Sequence, residues 1–159
     1  MKVLFIKPEE VSIYTPLGGN IDVDKVLPSI YDVQISVIES MLGEALYEKI
    51  LVDFTDGVLV GDYLKLVDDY VKPIMRYQAA AEFIEIGTYW VSNAGIFRKN
   101  PEGTSEVSKS EVDALAQTLR TKAQMYIERC ERFLAKANLP EYSRCSKHNT
   151  LVSQGWYFP

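Results

Sequence analysis

Few side chains in this sequence have the types and spacing that catalysis or metal binding requires. His148 is the only histidine, and it follows Cys145 at a spacing that metal ligands can share. The pair is half of a site, because structural zinc takes four ligands, and the other cysteine, Cys130, falls on the apolar stripe of a predicted helix. A catalytic triad would need His148 to be held rigidly, yet its surroundings show no regular pattern. We therefore expect no enzyme activity, no metal and no other cofactor.

Two further patterns are better explained as structure than as ligand sites. Glu82 and Glu85 share one face of a predicted helix and could be taken for carboxylate ligands of a di-iron bundle. Such a bundle also needs two Glu-x-x-His motifs, which a chain with one histidine lacks, so we expect an exposed acidic face. Gly18 and Gly19 have no basic residue at the spacing of a phosphate-binding loop, and we predict a turn there.

A small basic cluster near the end of the last predicted helix has two interpretations. Arg129, Arg132 and Lys136 complement the negative end of the helix dipole. The same side chains could instead contact phosphate groups. Both interpretations stay open at the level of the sequence.

The apolar periodicity predicts an all-α fold, a helical bundle of about four to five helices. One long helix is expected over 23–42, after a loop and a capping Asp22 or Asp24, and a shorter one over 44–54. A third keeps helical phase from 63 to 84 across Pro73, which should kink or split it. The sequence Asn93-Ala94-Gly95 is expected to end this region, and 98–106 to form an exposed loop.

The clearest helix begins at a capping box. Ser108 and Glu111 have the spacing at which a serine hydroxyl and a glutamate carboxylate each accept from the other residue's backbone N–H. An apolar stripe then runs from Val112 to Leu134, and Asn138 and Pro140 end it.

Both ends of the chain carry apolar segments outside this pattern. Residues 2–7 are expected to be extended, with Val3 and Phe5 needing a partner to cover them. Residues 139–159 show neither helical nor alternating periodicity but carry four aromatic side chains, Tyr142, Trp156, Tyr157 and Phe158. This tail either folds back on its own bundle or inserts into a partner as an aromatic anchor. We therefore divide the chain into a helical domain, 1–138, and an extended arm, 139–159.

Charge is distributed unevenly over the 159 residues, whose formal net charge is −5. Residues 1–69 carry 13 acidic and 5 basic side chains, whereas residues 120–159 carry 3 and 7. The two regions could attract each other within one chain, could join copies front to back in a ring, or could simply be solvated faces. The overall acidity argues against nucleic acid as the main partner.

The sequence resembles the small helical head–tail connector proteins (adaptor or neck-ring proteins) of tailed bacteriophages, most closely those of crAss-like and related phages of Bacteroidetes. The similar segments cover nearly the whole length and consist of packing and assembly signatures: 2–8 (KVLFIKP), 17–22 (LGGNID), 27–50 (LPSIYDVQISVIESMLGEALYEKI), 91–96 (VSNAGI), 107–112 (VSKSEV) and 154–157 (QGWY).

This resemblance implies a structural virion protein of the neck, made in the bacterial host cytoplasm. It implies a homo-oligomeric ring of about twelve copies that joins the portal protein to adjoining neck or tail rings. DNA would pass through its channel without specific binding, and no membrane is involved. Tyr142, Trp156, Tyr157 and Phe158 would dock on a partner, and Val3, Phe5, Arg98 and Lys99 would contact neighbouring subunits or rings.

The alternative is a monomeric or dimeric helical binding module, a regulator that touches protein or nucleic acid. Its candidate contact residues are Arg129, Arg132 and Lys136. Such a module would bind DNA with a steep dependence on salt concentration.

Overall fold

The computed structural model describes residues 3–18, 22–87, 89–92, 95–98 and 108–142. Within these residues the fold is all-α, which confirms the prediction of a helical bundle with a short extended N-terminal segment. Among them there is no helix long and apolar enough to cross a membrane.

The described part of the chain contains five continuous helices. They are α1 (Pro8–Tyr14), α2 (23–42), α3 (Glu44–Thr55), α4 (61–87) and α5 (Lys109–Leu134). Two of them contain π-helical stretches, Gln34–Glu39 in α2 and Val67–Val71 in α4. Gly43 separates α2 from α3 with a φ of 79°, a left-handed conformation that glycine adopts without steric cost.

Helix α4 lies at the centre of the bundle. It packs against α1, α2 and α5, and its contact with α5 is the largest between any two helices. Ala79, Ala80 and Ala81 are completely buried, and since successive residues of a helix point in different directions, neighbours must cover this helix on several sides. Helices α4 and α5 are antiparallel. Glu85, late in α4, pairs with Arg120 in the first half of α5, whereas Tyr70, early in α4, stacks on Phe133 at the end of α5.

Pro73 does not split its helix, which was one of the two outcomes predicted from the sequence. Helix α4 continues through Pro73, and just before it the backbone N–H of Lys72 donates to the carbonyl of Val67, five residues earlier. This wider turn changes the hydrogen-bond register at the point where proline has no N–H to donate. Pro28 lies inside α2, beyond the first turn.

A short β-hairpin follows α4 where the sequence predicted more helix. Helix α4 ends at Gly87, and β1 (Tyr89–Ser92) pairs antiparallel with β2 (Gly95–Arg98). The expected helix end at Asn93-Ala94-Gly95 is therefore wrong, and the predicted loop at 98–106 begins with the last residue of β2. The β-branched and aromatic residues of this segment suit a strand.

The capping box at the start of α5 is present as predicted. The backbone N–H of Glu111 donates to the Ser108 hydroxyl at 3.2 Å, and the Glu111 carboxylate accepts from the Ser108 backbone N–H at 2.8 Å. These bonds satisfy backbone donors that the first turn of a helix leaves unpaired.

Candidate docking surfaces

The N-terminal strap, residues 3–7, is attached to the bundle by one buried glutamine. Gln34 is 1% exposed, and its Oε1 accepts from the backbone N–H of Phe5 at 3.0 Å. Its Nε2 donates to the carbonyl of Val3 at 2.9 Å and to the Tyr47 hydroxyl at 3.0 Å. The side-chain amide thus satisfies backbone groups that a β-strand partner would otherwise have to pair.

Phe5 belongs to the chain's own core. It is 1% exposed, and its ring makes edge contacts with Tyr47 at 5.9 Å and Phe54 at 5.3 Å between centroids. The chain's own core therefore covers the Phe5 ring, and its predicted contact with a neighbouring subunit stays a prediction. Val3, the other predicted contact residue of the strap, is half-buried and borders a groove.

This groove has a volume of about 510 Å³ and opens between α2 and α3. Its lining is largely apolar, with Val3 from the strap, Ile35 from α2, and Leu51 and Val52 from α3. Ile35 and Val52 remain 38% and 58% exposed. Apolar walls of this kind are typical of surfaces that bind another molecule.

A row of acidic side chains runs along the α3 edge of the groove. Glu44, Glu48, Val52 and Asp56 are four residues apart, so they lie on one face of the chain there, and all four are exposed. None of the three carboxylates forms an ion pair with another described residue. We call the groove and this row the acidic groove.

A second surface lies where α4 and α5 pack together. Two stacked aromatic pairs cross the contact: Tyr77 with Tyr126, 5.9 Å between centroids, and Tyr70 with Phe133, 5.0 Å. Cations cover these rings. Lys122 lies 5.5 Å from the ring of Tyr77, Lys65 lies 5.7 Å from that of Phe133, and Arg129 lies between the pairs. We call this continuous series the cation–aromatic ladder.

The exposed edge of the ladder is a regular basic face of α5 and the turn after it. Lys122, Met125, Arg129, Arg132 and Lys136 are spaced three or four residues apart, as one helix face requires, and all are exposed. The basic cluster predicted from the sequence is thus the second half of this face. Its four cations and Lys65 form no ion pair with a described carboxylate, in contrast to five other cations, Lys25, Lys49, Lys72, Arg76 and Arg120.

The described part of the predicted C-terminal arm packs on the helical body. Leu139 is 6% exposed, and Tyr142 packs against the core. The Tyr63 hydroxyl donates to Glu141 at 2.6 Å, and this bond to a carboxylate raises the pKa of Tyr63 to about 12. The helical body therefore includes residues 139–142.

For the remaining predicted contact residues, no side-chain position is described. Arg98 ends β2 opposite Tyr89, with only its backbone described. Lys99, Trp156, Tyr157 and Phe158 lie outside the described residues.

Glu82 and Glu85 have different environments. Arg120 donates to both oxygens of Glu85 at 2.5 Å, and this bidentate pair lowers the pKa of Glu85. Burial, with the negative charge of Asp32 nearby, raises the pKa of Glu82. The expectation of one exposed acidic face is wrong, because both residues are half-buried between helices.

Of the groups considered for metal binding, Cys145 and His148 lie outside the described residues. Within the part of the chain that the structure describes, no three histidine, cysteine, aspartate or glutamate side chains form a metal site. Burial raises the pKa of Cys130 to about 12, so its thiol stays protonated near neutral pH.

Sequence reasoning missed the ladder because half of it comes from α4. Tyr70 and Tyr77 fall within the helix expected from 63 to 84, and their partners on α5, Phe133 and Tyr126, are 63 and 49 residues away in sequence. The seven-residue spacing of Lys122, Arg129 and Lys136 was the available signal for the basic face.

Comparison with known family models places most of the chain in one family. A family model described as a family of unknown function, DUF6712, matches residues 38–150. No curated protein and no solved structure matches the chain.

Proposed function

We propose that this chain, which belongs to the DUF6712 family, is a structural subunit of a head–tail connector ring in a tailed bacteriophage. In this function it works by oligomerising and docking, without catalysis. The ring joins the portal to the tail and continues the DNA channel. The observation that carries the proposal is the resemblance to phage connector proteins over nearly the whole chain.

The arrangement of the similar segments supports this proposal. The segment 2–8 supplies the strap, and the segment 27–50 supplies Gln34 and Tyr47, which hold it. The resemblance therefore covers two parts that depend on each other structurally. A terminal segment fixed to the outside of a helical body suits a protein that assembles through its surface.

Two properties of the surface also fit an assembling subunit. Large apolar side chains remain exposed near the end of α1 and after α3, with Ile13 at 71% and Val60 at 70%. The acidic groove and the ladder present charges of opposite sign that form no ion pair with another described residue. A ring would bury surface of both kinds, which an isolated chain leaves in water.

The first test is the mass of the purified protein in solution, alone and mixed with its phage's portal protein, by light scattering. We expect either a closed ring of many chains or stoichiometric capture by the portal. A chain that stays at 18.0 kDa in both samples would contradict the proposal.

The docking role of the C-terminal arm has its own test. Truncation after Tyr142 should leave the helical content and the urea midpoint unchanged but abolish capture by the portal. Trp156→Ala in the full chain should weaken capture by about 2–4 kcal/mol if the side chain is a binding hot spot, while Ser153→Ala in the same segment should not. Unchanged capture by the truncated chain would show that the arm does not dock.

The ladder favours a second candidate, a nucleic-acid-binding module. Exposed arginines and lysines beside aromatic rings are found where proteins bind phosphates and bases. Titration with duplex DNA at several salt concentrations separates the two candidates, because phosphate binding weakens steeply with salt. A connector subunit should not bind the duplex stably.

A further inference from the structure

The acidic groove and the ladder satisfy the geometric requirement of a head-to-tail contact between copies of one chain. Such a contact needs two different patches on each subunit. The groove is built on α2, α3 and the strap, and the ladder on α4 and α5, so the two patches share no helix. Each is therefore free to meet the other on a second copy.

The two patches are complementary in charge. The acidic groove presents Glu44, Glu48 and Asp56 without ion-pair partners among the described residues, and the ladder presents five cations in the same condition. Elsewhere in the described chain most cations are already neutralised by a neighbouring carboxylate. Charges left unpaired on two separate faces can be neutralised by a second copy.

The patches also have matching apolar content. Met125 is 49% exposed in the middle of the basic face, flanked by Lys122 and Arg129. The acidic groove has apolar walls that include Ile35 and Val52. Met125, an apolar side chain between cations, is therefore complementary to an apolar groove that has carboxylates along its edge.

The aromatic rings hold the Arg129 side chain of the ladder in place before binding. The guanidinium of Arg129 lies 5.8 Å from the ring of Tyr70 and 5.5 Å from that of Tyr126, so its position is restricted before any partner arrives. A side chain that is already ordered loses less entropy when it binds. Arginine, tyrosine and methionine are the residue types that protein interfaces favour.

We propose that the cation–aromatic ladder of one copy binds the acidic groove of the next, and that this is the contact between subunits. The proposal rests on the proposed function in that it takes the assembly to be one of identical copies. Nucleic acid is the less favoured occupant of the ladder, because the acidic groove supplies a complementary surface within the same protein.

Charge reversal on each patch tests the pairing. A ladder variant, Arg129→Glu with Arg132→Glu, and a groove variant, Glu44→Lys with Glu48→Lys, should each lose self-association and remain at the mass of one chain. Mixed together they should associate into assemblies of alternating chains, because the unchanged groove of one variant meets the unchanged ladder of the other, and the two reversed patches complement each other as well. The chain with all four substitutions should associate again, since its charges are complementary with reversed sign.

The control is a reversal of equal size at two lysines that neither line the acidic groove nor belong to the ladder. Lys7→Glu with Lys109→Glu changes the net charge as much as the ladder variant does, and both lysines are exposed. This variant should associate like the natural chain. Light scattering at low and high salt measures the assembly mass of every sample, and association should weaken as salt screens the charges.

Several results would overturn the inference. They are a natural chain that stays at one-chain mass at millimolar concentration and low salt, reversed variants that still associate, a mixed pair that does not, or a ladder variant whose only defect is in binding duplex DNA. If reversed variants still form rings on the portal, the inference fails and the connector function stands. If the patches pair as expected but the chains neither close into a ring nor are captured by the portal, the inference stands and the connector function fails.

Discussion

The buried side chain of Gln34 joins the N-terminal strap to the helical body. It is buried in the middle of α2, and its amide bonds the backbone of Val3 and Phe5 and the hydroxyl of Tyr47. Phe5 then packs into the core. A buried amide with all three bonds made fixes one register of the strap, because any shift would leave its polar atoms unpaired.

Replacing Gln34 should therefore destabilise the protein strongly. We expect Gln34→Ala to lower the free energy of unfolding by about 2–4 kcal/mol, since it leaves a cavity and orphans the backbone groups of the strap. Tyr47→Phe removes only one of the bonds and should cost about 1 kcal/mol. Urea denaturation measures both, and equal effects would argue against the bridging role of the amide.

Glu82 and Glu85 should have opposite effects on pH-dependent stability. The raised pKa of Glu82 means that its ionised form is less favourable in the folded chain than in the unfolded one. Glu82→Gln should therefore raise the free energy of unfolding at pH 7, and the gain should vanish as the pH falls through the raised pKa toward 4.5. The measurement is thermal or urea unfolding at a series of pH values.

Glu85→Gln, three residues along the same helix, is the matched comparison. Its pKa is lowered by Arg120, so the ionised form stabilises the folded chain above the unfolded-state pKa near 4.5. The variant should be less stable at pH 7, and the difference should disappear as the pH falls below 4.5 through the lowered pKa. The same sign for both variants would contradict these environments.

At the scale of elements, α5 depends on its first turn. It supplies one side of the contact with α4 and all of the basic face except Lys136, so anything that frays its start disturbs both. The chain enters this helix from a segment outside the described residues, and Ser108 is the first residue after it. The capping box there defines where the helix begins.

Ser108→Ala should lower the free energy of unfolding by about 1 kcal/mol, the usual cost of losing an N-cap side chain. Ser110→Ala, two residues inside the helix and exposed, removes the same hydroxyl without a cap and should be nearly neutral. Thermal unfolding followed by circular dichroism compares the two. Equal melting temperatures would mean that the capping bonds contribute nothing measurable.

At the scale of the whole molecule, the uneven charge has a structural basis. The acidic first half forms α1 to α3 and the beginning of α4, and the basic last quarter includes most of α5. Some of this charge is neutralised inside the fold, as where Arg76 of α4 binds Glu10 of α1 and Arg120 binds Glu85. The proposed head-to-tail contact would use the charges of the acidic groove and the ladder that have no ion-pair partner among the described residues.

The sequence by itself determined the helices, because a helix depends on neighbours three and four positions away and on local caps. The spacing of apolar residues located the helices, and Ser108 with Glu111 located the start of α5. The same local reasoning missed the β-hairpin after Gly87, since a strand exists only when another strand pairs with it. The same reasoning predicted that the helix continues to Asn93-Ala94-Gly95, whereas α4 ends at Gly87.

Only the tertiary structure decided which surfaces the chain presents. Phe5 reads as an exposed apolar residue in sequence, yet it is buried because Gln34, twenty-nine positions away, supplies the hydrogen bonds that an extended segment needs. The ladder likewise joins tyrosines of α4 to cations of α5 across an antiparallel contact. Burial, pairing and the accumulation of charge on one face depend on distances between residues far apart in sequence, and only the packing of the helices sets those distances.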